Sequence, residues 1–300
     1  MSRHALVWPS QPAVRLEGWL VGSVDLACEL NGLVHAATGL DAIELGLQAR
    51  DLGLSAMVLS AADYCTASVT SYLLDTDFEG ASFRLLGSVA LNNSVGGLNV
   101  HAVEHNLMLS GRLVSMPTVS AQHFLRSRRW PSNHHASGPA LTILTSQSEV
   151  RPKLGELLDV VAGRSGVLAG GYLHASEVIA LFTLAVARGV TRLLVVDPMG
   201  LSAARKDDVD AMLALGAHVM ISPSSSAADQ ALALRLAASH PERLILGLHL
   251  DDVAADLRST YVAGVQNWID LGLSEAVIRR GIAETPARLL DLTPWKGPMA

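Results

Sequence analysis

The chain has 300 residues, of which 50% are hydrophobic and 17% charged, with a formal net charge of -6. Such a composition supplies a large core and excludes a disordered chain. The acidic balance argues against a nucleic-acid or anionic-membrane partner, since phosphate binding needs concentrated Lys and Arg. Arg126, Arg128 and Arg129 form the tight basic cluster of the sequence and read as a solvated loop. Cys28 and Cys65, the two cysteines, suit a reducing cytoplasm better than a disulfide scaffold. Arg3, Arg15, Glu17, Asp25 and Glu29 break up the first thirty residues, so the apolar core of a signal peptide is missing. No uncharged apolar run approaches the roughly 20 residues that span a bilayer. A cytoplasmic protein is expected.

In chain order, the first predicted strand is Leu33 to His35, which places Cys28 before it. Asp41 to Leu52 follows as a helix, with Ile43, Leu45, Leu47 and Leu52 among Glu44, Gln48 and Arg50, and Gly53 at its stop. Further apolar runs predict strands at Ala56–Leu59, Leu85–Leu91, Leu113–Met116, Val167–Ala169, Leu193–Val196, His218–Ile221 and Leu244–Leu248. These runs are too apolar for a sheet with one wet face and suit parallel strands covered on both sides. Ser176–Arg188 and Asp207–Leu215 read as helices, each ended by a glycine, Gly189 or Gly216. Beyond the last strand, helices are predicted over Ala254–Leu271, Ser274–Ile282 and Thr285–Leu290.

Eight strand–helix units of about 25 residues favour a (β/α)8 TIM-type barrel over a doubly wound sheet. The expectation is one domain over residues 1–300, with the barrel core at about 25–290. The link between the fourth and fifth strands is about twice the usual length. It predicts an insertion over about 118–150, whose stretch Ser127–Pro139 is rich in Arg, His, Ser, Asn and Pro and holds Trp130. A lid over an active-site mouth, disorder and a subunit contact are all open for it.

Several stretches carry a family resemblance. They are Val34-His35-Ala36, Asp41 to Leu45, Gly53 to Leu59, Leu91 to Asn99, Ala102-Val103-Glu104, Met116-Pro117-Thr118 and Thr285 to Leu290. In order and spacing these resemble a bacterial family of amidohydrolase-like barrels of the metal-dependent hydrolase superfamily, over about Asp25 to Leu290. The resemblance implies polar ligands at the carboxyl ends of strands, where barrel enzymes place their active sites.

Position by position, the implied ligands are largely replaced. The His-x-His pair implied for strand one becomes Leu33 and His35, and leucine has no lone pair to offer. The Lys and His implied after strand two become Ser60 and Ala62, beside Asp63. After strand five, Gly171-Tyr172-Leu173-His174 puts tyrosine where a ligand histidine is implied. Asp197 stands for the histidine after strand six, and His249-Leu250-Asp251-Asp252 follows strand eight. A catalytic zinc needs about three His or carboxylate ligands and an open position. If one divalent ion such as zinc is held, the candidates are His35, Asp197, His249 and Asp251; the leading expectation is no cofactor.

His35, Asp197 and Tyr172 are the expected catalytic residues. Asp197 would be the base, Tyr172 the acid or oxyanion donor, and His35 either. Core hydrogen bonding, helix capping and simple packing are their respective bland roles. Asp63, Asn92, Asn93, His174, His249 and Asp251 are expected to contact substrate. For His174, which precedes a helix start, capping is the competing role; for Asn92 and Asn93, loop geometry is. His134 and His135 in the long link are read as surface.

The expected function is an amidohydrolase-like enzyme with a degenerate metal site. It would catalyse elimination, isomerisation or cyclisation of a small, fairly apolar metabolite by side-chain acid–base chemistry. A mononuclear metal-dependent hydrolase and a catalytically silent, ligand-binding barrel are the alternatives. No Gly-x-Ser-x-Gly elbow and no phosphate-cradling Gly-Lys loop occur. A homo-oligomer is left open.

Overall fold

The computed structural model describes residues 16–32, 34–35, 38–127, 138–145, 150–248 and 256–293. Its strands are β1 (Val24–Asn31), β2 (Val34–His35), β3 (Ala56–Ala61), β4 (Arg84–Ala90) and β5 (Gly111–Ser115). β6 (Val167–Ala169), β7 (Leu193–Val196), β8 (His218–Ile221) and β9 (Leu244–Leu246) complete the sheet. The first helices are α1 (Glu17–Leu20), α2 (Ala42–Asp51), α3 (Ala67–Asp75), α4 (Val100–Met108), α5 (Gln122–Ser127) and α6 (Lys153–Gly163). They are followed by α7 (Ala175–Ala187), α8 (Pro198–Leu201), α9 (Lys206–Ala214) and α10 (Ala227–Ser239). After β9 come α11 (Leu257–Asp270), α12 (Glu275–Arg279), a π-helical turn Arg280–Glu284 and α13 (Thr285–Leu289).

The nine strands form one sheet in the order β2-β1-β3-β4-β5-β6-β7-β8-β9. Seven neighbouring pairs from β1 to β9 are parallel, and only β2 runs antiparallel, against β1. The sheet curls until its two ends share one inner core, since Val24 and Leu26 of β1 belong to the same cluster as Ile245 of β9. Val58, Leu86, Leu113, Val167, Leu194 and Met220 fill that core from the strands between. The alternate residues, such as Met57, Leu85, Val114, Leu168, Val195 and Ile221, join the larger outer core beneath the helices. This period-two division between two cores follows from strand geometry and explains why the runs are apolar throughout.

The seam between β9 and β1 carries no strand pairing among the described residues. Instead α11 spans it. Tyr261 donates its phenol to Asp25 Oδ2 of β1 at 2.6 Å, and Trp268 Nε1 donates to the carbonyl of Gly247, just after β9, at 2.9 Å. Close approach needs Gly264, because a Cβ there would lie 2.2 Å from the Leu248 carbonyl oxygen. At the amino end of the strands, Ala287, Leu289 and Leu290 of the C-terminal segment join the inner core and close it.

Two expectations are corrected. The first strand is Val24–Asn31 rather than Leu33–His35, and Cys28 lies inside it, buried. Asp25 and Glu29 disguise this strand as a charged segment, and a register shift between Asp25 and Cys28 breaks its alternation. His35 belongs to the short antiparallel return that follows. The link between the fourth and fifth barrel strands, now β5 and β6, contains α5 and then α6. Trp130, Arg128, Arg129, His134 and His135 lie outside the described residues, as does Leu33.

Candidate functional site at the carboxyl ends of the strands

Side-chain alternation fixes which residues reach the mouth. In β3, Val58 points to the inner core and Leu59 and Ala61 to the outer one, so Ser60 faces inward at the strand end. The same argument turns Glu29 inward between Cys28 and Leu30, and the register sets it directly beside Ser60. In β4, Leu86 is inward and Val89 outward, which turns Ser88 to the interior; its hydroxyl donates to Ser60 Oγ at 3.1 Å. Ser115 of β5 takes the corresponding place beyond Leu113, and Ser222 the place beyond Met220 of β8. The mouth is therefore lined by hydroxyls and a carboxylate above an apolar floor.

Asp197 stands at the end of β7 with φ 41° and ψ 55°. That left-handed conformation costs a non-glycine residue about 1–3 kcal/mol, and such strain concentrates at functional sites. Both of its carboxylate oxygens accept from one residue: Oδ1 from the Ser222 amide at 2.8 Å and Oδ2 from the Ser222 hydroxyl at 2.6 Å. It does not cap α8 through its side chain. The turn that follows is held instead by Asp229, fully buried, which accepts from the amides of Met199 at 2.9 Å and Gly200 at 2.8 Å. Ser226 donates to the same carboxylate at 2.7 Å. One polar network thus ties the ends of β7 and β8 to the start of α10.

Tyr172 follows β6, the strand next to β7. Gly171 makes its position: φ is 60°, and a Cβ there would sit 2.4 Å from the Met116 carbonyl oxygen. The Tyr172 ring packs on Phe124 of α5, with centroids 5.0 Å apart. His174 is the N-cap of α7; its Nδ1 accepts from the Ser176 amide at 3.3 Å, and its ring meets that of His123 edge-on at 5.1 Å. Glu177 on the same helix accepts from Thr142 Oγ1 and from the Ile143 amide at 3.1 Å. These contacts fasten residues 121–127 and 138–145 of the long link against α7 and the segment after β6.

Asn92 is buried and makes four hydrogen bonds. It donates to the Ala62 carbonyl and Thr118 Oγ1, and accepts from the amides of Thr118 and Ser120. It therefore pins together the loops after β3, β4 and β5. Asn93 donates to the Pro139 carbonyl at 2.9 Å. Asp63 is exposed in the loop after β3. His35 is paired with Leu30, whose side chain is in the outer core, so cross-strand geometry turns the imidazole to the helix side of the sheet. There it is buried, with Nδ1 2.9 Å from Thr38 Oγ1. His249, Asp251 and Asp252 lie outside the described residues.

Asp197 and Tyr172 thus follow neighbouring strands, β7 and β6, with the Tyr172 ring packed on Phe124 and the outer core, while His35 lies on another sector and on the helix side of the sheet. Glu29, Ser88, Ser115, Ser222 and Asp229 are the contributors that the sequence reading passed over. Alternation within Leu85–Leu91 could have found Ser88; the bulge in β1 hides Glu29. Among the described residues no group of three or more His, Cys, Asp and Glu could hold an ion; the ligand candidates His249 and Asp251 are not among them.

The sequence profile of a family of unknown function, DUF6282, matches residues 23–220. No curated protein sequence matches the chain. Among solved structures, an amidohydrolase from Pseudomonas aeruginosa aligns with TM-score 0.56 at 12% identity, covering 91% of this chain and 97% of that one. A 2,6-dihydroxybenzoate decarboxylase bound to 2,6-dihydroxybenzoate aligns with TM-score 0.53 at 12% identity, covering 91% and 100%. A phosphotriesterase homology protein from Escherichia coli, complexed with phosphate, aligns with TM-score 0.52 at 14% identity, covering 90% and 99%. At such identities the likeness establishes an amidohydrolase-like barrel fold.

Proposed function

The chain belongs to the DUF6282 family and is built as an amidohydrolase-like barrel, and from that premise we propose that it is an enzyme using side-chain acid–base chemistry. The reaction class is elimination, isomerisation or cyclisation of a small, fairly apolar molecule held over the inner core. The observation that carries this reading is Asp197: a carboxylate 8% exposed, at a strand's carboxyl end, on strained backbone and gripped by Ser222.

Asp197 removes the proton from the substrate. Tyr172, on the adjacent strand end, donates its phenolic proton to the oxygen that gains charge. In isomerisation Asp197 returns its proton to the substrate as the phenolate regains its own. In elimination or cyclisation the proton held by Asp197 passes through solvent to the Tyr172 phenolate. Glu29 faces the same cavity from β1 and supplies a second carboxylate. General acid–base groups of this kind contribute about 10²–10⁴-fold each. The described part of the long link is fastened to α7 through Glu177 and to the β4 loop through Asn93, beside the strand ends. No step of this proposal is routed through a metal ion.

The test is turnover of a small-molecule panel followed by NMR, using chelator-treated protein whose metal content is counted by elemental mass spectrometry. Turnover by metal-free wild type that disappears in Asp197→Asn is the expected result. Turnover that needs stoichiometric metal would overturn the proposal in favour of a mononuclear hydrolase. Finding no substrate across the panel, with an intact fold, would favour the silent barrel.

A further inference from the structure

Helix α4 carries an imidazole pair that the acid–base chemistry does not use. His101 and His105 lie four residues apart on it, both exposed, with Glu104 and Met108 on the same side. At about 100° per residue, these four side chains fall within one arc of about 100°. Glu104 is half-buried at one edge of the arc and His105 marks the other, with His101 and Met108 between them. Met108 is 60% exposed, so its thioether is accessible from solvent. Val103, Asn106 and Leu107 take the opposite face into the core.

The local structure holds this pair in register. Asn99 caps the helix by accepting from the amides of His101 and Ala102, which sets both imidazoles on regular helical backbone. Side chains at i and i+4 start about 5–6 Å apart at Cβ, and two imidazoles so placed can converge on one ion. The histidines of a His-Glu-x-x-His helix use the same spacing. The neighbouring α3 adds a second contact: Ser68 Oγ lies 3.2 Å from His105 Nε2. A hydroxyl held at one ring nitrogen orients the imidazole and leaves the other, Nδ1, for a metal.

We infer that this outer face of α4 binds one late first-row transition-metal ion, copper in preference to zinc. His101 and His105 are the chelating ligands, Met108 is a thioether donor beside them, and water completes the coordination. Imidazole suits both metals, but a thioether selects copper, and Cu²⁺ also stands above Zn²⁺ in the affinity order for a given site. The site is an open two-imidazole chelate, and a group of three His, Cys, Asp or Glu is absent among the described residues. It lies on the solvent face of a helix and carries no step of the reaction proposed for the strand ends.

The test titrates the metal-stripped full chain with Cu²⁺ while backbone amides are followed for paramagnetic broadening. The amides of residues 100–108 and of Ser68 should broaden first, below one equivalent. His101→Ala and His105→Ala, both at exposed positions, should each weaken copper binding at least about ten-fold by calorimetry, because either change turns a chelate into a single ligand. Zinc should bind wild type at least about ten-fold more weakly than copper. A double variant, His134→Ala with His135→Ala, should bind copper as wild type does. No saturable copper binding by wild type, equal binding by the His101 and His105 variants, loss in the His134/His135 variant, or zinc tighter than copper would overturn the inference.

Discussion

The two ends of the barrel both contain buried polar groups and treat them in opposite ways. At the amino end and along the seam, each is silenced. His218, inward at the start of β8, is driven down to a pKa of about 4, first by burial and then by the neighbouring Arg243. Asp25 is enclosed by Tyr261, and burial together with Asp25 raises the Tyr261 phenol and the Cys28 thiol well above their ordinary values. At the carboxyl end, Asp197 is held on a strained turn, Ser60 and Ser88 bond each other across strands, and Glu29 stays exposed. One end is closed by α13. On the proposed reading, stability is concentrated in the floor and chemistry in the mouth, the division that barrel enzymes follow.

The sharpest way to break this comparison is Asp197→Asn. Asparagine tolerates the left-handed conformation and can still bond Ser222, so the melting temperature should stay within about 2 °C. Turnover should fall by about 10²–10⁴-fold. A large loss of stability with activity retained would move Asp197 to the floor's category.

The converse prediction concerns His218. Its folded pKa lies below the ordinary value of 6.5, so between pH 6.5 and about 4 the unfolded chain binds the extra proton. Stability therefore declines as pH falls through that window, by about 2–3 kcal/mol. His218→Gln should flatten that part of a denaturant-midpoint profile and leave turnover unchanged.

Tyr261→Phe removes one donor from the buried Asp25 and should cost about 1–3 kcal/mol, read as a lower chemical-denaturation midpoint, again with activity intact. The smallest expected effect is Ser222→Ala. It keeps the amide donor to Asp197 and loses the hydroxyl, for about 1 kcal/mol of stability and about ten-fold in turnover.

The legibility of these regions in the sequence differed for physical reasons. Strands buried on both faces announce themselves as apolar runs, so seven of the eight parallel strands were readable from Ala56 onward. The first was not, because Asp25 and Glu29 interrupt it and a bulge shifts its phase. That error displaced the strand-one position onto His35, whose register faces the helices. Asp197 was visible as a carboxylate after four apolar residues, but its partner was not, since Ser222 comes from a strand 25 positions later. The capping role of His174, by contrast, is local, and its position before Ala175-Ser176-Glu177 already suggested it.

The most direct test of the account is single-turnover or steady-state activity of metal-stripped wild type beside metal-stripped Asp197→Asn, with residual metal quantified in the same samples. The account predicts activity in the first without metal and its loss in the second without unfolding. Activity that returns only with added metal, or that survives in Asp197→Asn, would contradict it.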